Sequence, residues 1–475
     1  MNLNKNTVFQ SYPQIDGGTV DLALAKEIAK SPRKIIVLDD DPTGTQTVHD
    51  VSVYTDWSRS SLRAGFLEEN KLFYILTNSR ALSQKETTRI HREIADGAIA
   101  VSRELGIPFL IVSRSDSTLR GHYPLETQVL AQRLALQGQP IDGEILCPFF
   151  YAGGRFTVGN IHYVLQGEDL VPAAETEFAA DKTFGYTHSD LPGYIQEKTA
   201  GAYPADSVVC ISLEQLRAMD YEGITRQLMS VTGFGKVCVN AISPVDVKVF
   251  CVALYRAMAA GKHFLFRTAA DFVKAVGGIS DQPLLTRQQL IPRPTQRGGV
   301  VVVGSHTQKT TEQLQRLLTS DRAVGIEFNS DLVLQGDGAL QAEVQRCVAL
   351  EEEIIRSGKT AVCYTNRKLL SLPDDTKEQA LARSVKIGEA VHHLVGDLSI
   401  TPSFVISKGG ITSSDVAVKA LRLHRATVLG QICPGIPAWQ TPEDSRFPGI
   451  AYIIFPGNTG SADTLRQAVD VLQGQ

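Results

Sequence analysis

Residues 33–44 read RKIIVLDDDPTG, an apolar run that ends in three consecutive carboxylates and a Pro-Thr-Gly turn. The aliphatic residues at 35–38 are typical of a strand buried on both faces, and the turn residues end it. In open parallel sheets, ligands bind just outside the carboxyl ends of the strands. This stretch therefore predicts an α/β fold in which the acidic cluster at 39–41 lies where ligands bind.

The rest of the N-terminal part repeats this pattern. Three further apolar runs each end in polar residues: KLFYILTNS, PFLIVSRSD and EILCPFF. Ser83 and Glu86 have the spacing of a capping box, which predicts a helix start, and apolar residues recur at helical spacing from Ile90 to Leu105.

The C-terminal part alternates short apolar runs with helical patterns. The apolar runs are GVVVVG, AVGIEF, TAVCYT, FVIS, TVLGQI and IAYIIF, and the helices are predicted at 310–319, 339–357, 376–396, 413–424 and 461–473. Capping-box spacing occurs at Thr310/Gln313 and Thr376/Gln379. Alternation at this pitch predicts βαβ units and a largely parallel sheet.

A chain of 475 residues is expected to form two or three domains. The segment DQPLLTRQQLIPRPTQR at 281–297 has three prolines and no amphipathic period, which is typical of a linker. The predicted organisation is a substrate-binding domain at 1–280, a linker at 281–297 and a nucleotide-binding domain at 298–475. Each domain is expected to hold a largely parallel sheet flanked by helices, with the active site in the inter-domain cleft.

Composition excludes several classes of protein. The 47 basic and 51 acidic residues are spread along the chain, so neither a nucleic-acid partner nor a membrane surface is expected. Apolar runs stay below the roughly 18 residues of a membrane span, and the first residues lack the apolar core of a signal peptide. The seven cysteines show no C-x-x-C spacing, which indicates reduced buried thiols and a cytoplasmic protein.

The acidic cluster is the first candidate site. Asp39, Asp40 and Asp41 cannot all be relaxed as like charges, so they need cations, donors or a hydroxylated substrate. Thr43 adds a hydroxyl to the same turn. The alternative is a solvated turn held by Asp and Gly.

The second candidate site is SRSDSTLRGH at 113–122, which combines Arg114, Asp116 and Arg120. Arg can hold a carboxylate with two hydrogen bonds while Asp accepts from substrate hydroxyls, as a carboxylated polyol would require. Arg80 and Arg155 lie in two further loops of this kind. The alternative is a set of internal Arg–Asp salt bridges.

Three glycine-bearing joints in the C-terminal part are candidate phosphate sites: VVVVGSHTQKT, ISKGGITSSD and IIFPGNTGSAD. Each follows a strand and precedes a helix, where free N–H groups can point at an anion. The P-loop, dinucleotide and protein-kinase signatures are absent from the sequence. The candidate nucleotide contacts are Ser305, His306, Gly409, Gly410, Thr412, Gly457, Asn458 and Gly460.

Seven motifs in this order resemble the four-carbon acid sugar kinase family. They are DDPTG (40–44), TNSR (77–80), SDSTLRGH (115–122), PFFYAGGRFTVGNIHYV (148–164), VVGSHT (302–307), KGGITS (408–413) and PGNTGSAD (456–463). The resemblance implies an N-terminal domain that binds the acid sugar and a C-terminal domain that binds ATP. Its substrates would be D-threonate, D-erythronate, 3-oxo-tetronates or related acids.

The resemblance also assigns roles to matching positions. It places Asp40, Asp41, Thr43, Arg80, Asp116 and Arg120 at the sugar acid. It places Ser305, Gly409, Gly410, Thr412, Gly457 and Asn458 at the nucleotide. Two departures are Thr47, where the family commonly has a carboxylate, and Ile411, where it commonly has an acidic residue.

The resulting hypothesis is an ATP-dependent kinase of carbohydrate metabolism, with Mg²⁺ neutralising phosphate charge and no assigned metal ligand. Asp41 is the first choice of catalytic base and Asp116 the second. The acid sugar, the phosphorylated hydroxyl and the choice between monomer and homodimer stay open.

Two alternatives remain. VLDDDPT has the form of a haloacid-dehalogenase-type phosphatase motif with Asp39 as nucleophile, although Gln341 replaces the Asp that would complete its fourth motif. The other alternative is a non-catalytic sugar-acid sensor.

Overall fold

The computed structural model describes residues 3–293, 295–368, 370, 372 and 375–474. Its strands are β1 (Leu3–Asn4), β2 (Lys34–Asp39), β3 (Val51–Tyr54), β4 (Leu72–Leu76), β5 (Phe109–Arg114), β6 (Gly143–Cys147), β7 (Arg155–Val158), β8 (Ile161–Gln166), β9 (Asp169–Pro172), β10 (Val209–Ile211), β11 (Gly235–Val239), β12 (Phe264–Thr268), β13 (Val300–Val303), β14 (Ala323–Phe328), β15 (Thr360–Thr365), β16 (Phe404–Lys408), β17 (Arg425–Cys433), β18 (Ile436–Gln440) and β19 (Ala451–Phe455).

The α-helices are α1 (Lys5–Gln10), α2 (Gly17–Lys30), α3 (Arg59–Leu67), α4 (Gln84–Leu105), α5 (Leu125–Leu136), α6 (Leu191–Lys198), α7 (Leu213–Arg217), α8 (Tyr221–Ser230), α9 (Pro244–Ala259), α10 (Ala270–Gly277), α11 (Arg287–Leu290), α12 (Gln308–Leu317), α13 (Asp337–Arg356), α14 (Lys377–Gly396), α15 (Gly410–Asp415) and α16 (Thr464–Gln473). A π-helical turn, Val416–Ala420, continues α15.

The chain forms two compact units. The first consists of Met1–Gly44 and Asp56–Asp281, and the second of Thr45–Thr55 and Gln282–Gln475. The short segment Thr45–Thr55, which contains β3, thus belongs to the second unit although the first unit surrounds it in sequence. Both units are mixed α/β with helices around a sheet, which confirms the predicted fold class.

The first unit is built on a parallel sheet of strand order β10-β11-β6-β12-β5-β2-β4. Strand β2 is buried along its whole length, which explains its continuous apolar sequence. A smaller antiparallel sheet has the order β1-β9-β8-β7.

The second unit has a sheet of two parts. Strands β14-β15-β13-β16-β19 are parallel, as the βαβ pattern predicts, and β13 consists of four buried valines. The antiparallel strands β18, β17 and β3 then extend the sheet beyond β19.

Helix starts follow the sequence signals in two of three cases. Capping boxes are present at Ser83, before α4, and at Thr376, before α14. The third prediction, at Thr310, is wrong, because Thr307 caps α12 and accepts a hydrogen bond from the Thr310 N–H at 3.2 Å.

The predicted linker 281–297 contains α11 and several buried apolar residues. Leu285, Leu290 and Ile291 pack into the core of the second unit. Pro294 lies outside the described residues. Within the described chain, helices long and apolar enough to cross a bilayer are absent.

Candidate functional site

The acidic cluster follows β2, the middle one of three adjacent strands. Strand β2 lies between β4 and β5, and Asp39 at its end pairs in register with Leu76 and Arg114. Because the strands are parallel, their carboxyl ends meet at one edge of the sheet. The loops at 40–44, 77–81 and 115–122 are therefore neighbours.

Arg80 and Asp40 form a two-pronged ion pair. The guanidinium donates from Nη2 to Oδ1 of Asp40 at 2.6 Å and from Nε to Oδ2 at 3.0 Å. Asn78 adopts the left-handed conformation, with φ of 51°, two residues before Arg80. Nη1 of Arg80 also lies 3.5 Å from Oδ2 of Asp41. One guanidinium thus joins two of the three consecutive carboxylates.

Asp39 is sealed inside the protein. Its carboxylate is fully buried and accepts one hydrogen bond, from Nη1 of Arg114 at 3.2 Å. Burial raises the pKa of Asp39 to about 8, although Arg114 opposes the shift. A side chain held in this way is structural, and it is unsuited to be the exposed nucleophile of a phosphatase.

Asp116 is held in its ionised form. Its Oδ2 accepts from Nε of Arg120 at 2.7 Å and from the hydroxyl of Thr118. Burial raises the pKa of Asp116, but Arg120 and Arg80 outweigh it and hold that pKa well below its usual range. Such a carboxylate attracts hydroxyl donors but is a weak proton acceptor.

The backbone of the 115–122 loop is fixed by buried polar side chains. Tyr186 donates to the carbonyl of Thr118 at 2.8 Å, and Tyr194 donates to the carbonyl of Leu119 at 2.7 Å. Leu119 has a φ of 68°, so these bonds stabilise a conformation that apolar residues rarely adopt. The loop is therefore preorganised.

Arg155 differs from the other arginines of this site. It donates to the carbonyl of Gly153, its Nε is buried without a partner, and it forms no ion pair with any described residue. The guanidinium groups of Arg155 and Arg120 lie 5.4 and 5.1 Å from the ring centre of Phe178. Arg155 is thus a cation beside the site that has no direct ion pair among the described residues, although the charges of Asp116 and Glu177 act on it.

Thr43 contributes its backbone N–H to the site, which donates to Oδ1 of Asp41 at 2.9 Å.

The internal salt bridges that the sequence analysis gave as an alternative are present at Arg80, Arg114 and Arg120.

Sequence reasoning missed two buried residues next to this site. Glu126 accepts from the Ser79 hydroxyl at 2.6 Å and from Nη1 of Arg267 at 3.5 Å. Arg267 also donates from Nη2 to the carbonyl of Arg120 at 2.7 Å. Glu126 lies in the first turn of α5, beyond the polar loop that follows β5, so no strand-end signal marked it.

The phosphate-site loops of the second unit also follow neighbouring parallel strands. β13 lies between β15 and β16, and β16 lies next to β19. Their carboxyl ends place 304–307, 409–412 and 456–460 side by side.

Ser305 is the meeting point of these loops. A Cβ on Gly409 would lie 3.2 Å from Cβ of Ser305, and one on Gly457 would lie 3.0 Å from its Oγ. A Cβ on Gly304 would lie 2.2 Å from the Thr412 hydroxyl oxygen. We call this arrangement of Ser305, Gly409, Gly457 and Thr412 the Ser305 cradle. Backbone and hydroxyl groups can approach an anion closely there.

Hydroxyl groups tie the cradle together. Thr307 and Thr310 each donate to the carbonyl of Gly457, at 3.0 and 3.1 Å. The Thr310 hydroxyl oxygen also lies 3.1 Å from Oγ of Ser305, which can donate to it.

The other predicted nucleotide contacts lie in the same loops with different roles. Nε2 of His306 lies 3.4 Å from the hydroxyl oxygen of Thr365. Gly410 is the first residue of α15, and Gly460 has a φ of 85°. Asn458 accepts from the Thr459 hydroxyl at 3.5 Å.

Two cationic residues near the cradle were missed. Lys408, at the end of β16, is fully buried, and its Nζ donates to the carbonyl of Pro456 at 2.5 Å. Burial, reinforced by Lys309, lowers the pKa of Lys408 to about 7. Arg367 follows β15 and donates from Nη2 to the carbonyl of Ser305.

Carboxylates are scarce in these loops. Asp463 is the acidic residue within 456–463, and it lies 3.7 Å from Nε of Arg316. Among the described residues, no group of three or more His, Cys, Asp or Glu side chains is placed to hold a metal ion. Among the described residues, the cradle thus provides hydroxyl oxygens but no carboxylate cluster for a magnesium ion.

Models of two domain families match the sequence. The model of a sugar-binding N-terminal domain matches residues 35–276, and that of a nucleotide-binding C-terminal domain matches residues 300–465. Together they cover both candidate sites. No protein of curated function matches the sequence.

Solved structures that share the fold include a candidate tRNA synthase from Salmonella typhimurium LT2. It aligns over 92% of this chain and 98% of its own, with a TM-score of 0.65 and 15% identity. Protein HI1011 of Haemophilus influenzae aligns over 92% of this chain and 100% of its own, with a TM-score of 0.59 and 17% identity. At these identities the likeness establishes the fold alone.

Proposed function

Because the chain belongs to the four-carbon acid sugar kinase family, we propose that it transfers the γ-phosphoryl group of ATP to a hydroxyl of a small acid sugar, such as a threonate, erythronate or 3-oxo-tetronate. The observation that carries the proposal is the presence of both domain matches in one chain. The sugar-binding match contains the arginine- and aspartate-rich loops, and the nucleotide-binding match contains the Ser305 cradle.

Arg155 is the proposed receptor for the substrate carboxylate. Arg80, Arg114 and Arg120 are already paired with aspartates, whereas Arg155 forms no ion pair with the described residues. A mostly buried guanidinium without an anion is costly, so a substrate carboxylate would satisfy it. Asp116, kept ionised by Arg120, would accept hydrogen bonds from substrate hydroxyls.

Asp41 is the proposed catalytic base. The Asp39 side chain is fully buried, and both carboxylate oxygens of Asp40 accept hydrogen bonds from Arg80. Oδ1 of Asp41 accepts from a backbone N–H, and among the described residues the contact of its Oδ2 is the longer one to Arg80, at 3.5 Å. Asp41 therefore has an oxygen available for the proton of the attacking hydroxyl.

The Ser305 cradle would bind the nucleotide phosphates through backbone N–H groups and hydroxyls. Catalysis would then consist mainly of positioning and electrostatic stabilisation of the transferred group. A magnesium ion would neutralise phosphate charge when bound. Since no carboxylate cluster lies at the cradle among the described residues, we assign the magnesium ion no protein ligand.

The test is a substrate screen with purified protein and ATP. Threonate, erythronate and 3-oxo-tetronates are compared with erythritol and erythrose, and ADP formation is measured. An acid should exceed the matching neutral compound by about 100-fold or more in kcat/KM, because an unpaired buried Arg is costly. Equal rates on acids and polyols would refute carboxylate recognition, and absence of ADP with every acid would favour a sensor.

The same screen tests the phosphatase alternative. Release of phosphate from phosphoesters without ATP turnover would support it. The complete burial of Asp39, which that mechanism needs as its nucleophile, argues against it.

A further inference from the structure

The loop after β15 places a guanidinium against the Ser305 cradle. Strand β15 pairs with β13 in parallel, so the residue after Thr365 emerges beside the Gly304–Thr307 loop. Arg367 donates from Nη2 to the carbonyl of Ser305, and its Nη2 and Nε lie 3.2 and 3.4 Å from the Thr311 hydroxyl oxygen. These contacts fix the guanidinium plane.

Among the described residues, no carboxylate neutralises the charge of Arg367. In the part of the chain that the structure describes, Arg367 forms no ion pair, and its Nη1 is buried without a hydrogen-bond partner. A half-buried guanidinium with an unused donor loses hydration without gaining a counter-ion. Within the described part of the chain, Arg367 thus has no counter-ion.

The groups around Arg367 indicate which kind of anion it would bind. The cradle offers close backbone approach to an anion at Gly409 and Gly457. Lys408 is fully buried and its Nζ donates to the Pro456 carbonyl, whereas the Arg367 side chain is only half-buried. Planar guanidinium groups match phosphate oxygens well.

We propose that Arg367 binds the phosphate groups of the nucleotide through its Nη1 edge, while its Nη2 and Nε hold the loop of Ser305. This inference rests on the proposed nucleotide site and adds a residue to it. The class of ligand is a nucleoside di- or triphosphate, and its phosphate chain, rather than its base, is the part that Arg367 recognises.

The experiment is calorimetric titration of the full-length protein with ADP, ATP and adenosine. Arg367→Ala should weaken ADP and ATP by about 10- to 100-fold and leave any adenosine affinity unchanged, as expected for a lost charge-assisted hydrogen bond. Arg367→Lys, which keeps the charge but not the fork, should give an intermediate loss.

Arg446→Ala is the matched control. Arg446 is also half-buried, donates to a backbone carbonyl (Leu398, 2.8 Å), has a buried nitrogen without a partner, and forms no ion pair with the described residues. It precedes β19 at the amino end of that strand, whereas the cradle follows the carboxyl ends. Its removal should leave ADP affinity at the wild-type value.

The possible outcomes separate this inference from the proposed function. If wild-type protein binds ADP and Arg367→Ala binds it equally well, Arg367 is not a phosphate ligand, although the kinase proposal stands. An equal loss for adenosine and ADP would show a purely structural role and overturn the inference as well. If wild-type protein binds neither ADP nor ATP, both proposals fail. Circular dichroism verifies that each variant is folded. If Arg367→Ala is unfolded, the ADP affinity of Arg367→Lys tests the inference instead.

Discussion

Gly44 packs directly against the carboxylate of Asp39, since a Cβ on residue 44 would lie 1.9 Å from Oδ1 and 2.2 Å from Oδ2. The acidic cluster and the turn after it are therefore one packed structure. The fully buried Asp39 carboxylate also contacts Arg114, so it has little room to move.

The first prediction follows from this contact. Gly44→Ala should lower the free energy of unfolding by about 1–3 kcal/mol through overpacking. Urea unfolding measures the loss. Gly18→Ala is the control in the same unit, because its Cβ would meet its nearest atom, Oδ1 of Asp16, at an ordinary 3.6 Å. Equal stability of the two variants would contradict the packing argument.

The second prediction concerns pH. The pKa of Asp39 in the folded protein, about 8, lies above its ordinary value of 3.8. The stability contribution of the neutral carboxyl is therefore fully present below about pH 4 and is lost as the pH rises toward 8. Asp39→Asn cannot ionise, so its unfolding free energy should fall less than that of the wild type across this range. The difference in slope is at most about 1.4 kcal/mol per pH unit for one proton.

Urea unfolding at a series of pH values provides the measurement. A curve for Asp39→Asn that runs parallel to that of the wild type would show that burial does not perturb the titration of Asp39.

Helix starts could be predicted from the sequence where the residues of the capping box bond to each other. Ser83 and Thr376 form the expected capping boxes. Thr310 and Gln313 have the same spacing, but the Thr310 hydroxyl donates to Gly457, and the Gln313 amide donates to the carbonyls of Thr459 and Ser461. Tertiary contacts therefore use the groups that the local motif would need.

The order of the strands in the sheet could not be predicted from the sequence patterns. The loops around Asp39 and Ser305 could be predicted as strand-end sites, but their neighbours depend on which strands are adjacent. Arg367 reaches the Ser305 cradle because β15 pairs with β13, and Thr45–Thr55 joins the second unit because β3 pairs with β17. Both are pairings between distant segments, which periodicity cannot show.

The third prediction separates the roles of the acidic cluster. Asp41→Asn should lower kcat by at least about 100-fold with little change in ATP affinity, since it removes the proposed base. Asp40→Asn should instead raise KM for the acid more than it lowers kcat, because it frees Arg80 from its ion pair. Steady-state kinetics of the folded variants measure both effects.

Asp39→Asn is the control for that series. A buried structural carboxylate should leave kcat near the wild-type value where the variant is folded. Loss of activity with Asp39→Asn alone, while Asp41→Asn stays active, would reverse the assignment and favour the phosphatase alternative.

The fourth prediction tests recognition of the substrate carboxylate. Arg155→Gln should lower kcat/KM for the acid by about 100-fold and change the low rate on the matching polyol little, because the polyol has no carboxylate to lose. Arg33→Gln is the control, since Arg33 is half-buried, donates to the Met258 carbonyl and forms no ion pair with the described residues. Equal losses on acid and polyol with Arg155→Gln would indicate a structural role.

The last prediction concerns the backbone of the Ser305 cradle. Gly409 has a φ of 122° and a ψ of 142°, and an added Cβ would lie 3.2 Å from Cβ of Ser305 and 3.4 Å from its backbone nitrogen. Gly409→Ala should therefore both strain the backbone and push the Ser305 loop away from its position. We expect ADP affinity to fall by at least about 30-fold, which corresponds to about 2 kcal/mol.

Gly336→Ala is the control that separates backbone strain from displacement of the Ser305 loop. It precedes α13 as Gly409 precedes α15, with a φ of 99° and a ψ of 171°, and nothing lies within 4 Å of its added Cβ. Gly336→Ala should thus carry a comparable backbone strain without touching the cradle, and its ADP affinity should equal that of the wild type. Calorimetric titration with ADP compares the two at equal folded fraction, measured by urea unfolding. If Gly336→Ala loses as much affinity as Gly409→Ala, general destabilisation explains the loss. If neither variant loses affinity, the nucleotide phosphates do not bind where Gly409 approaches Ser305.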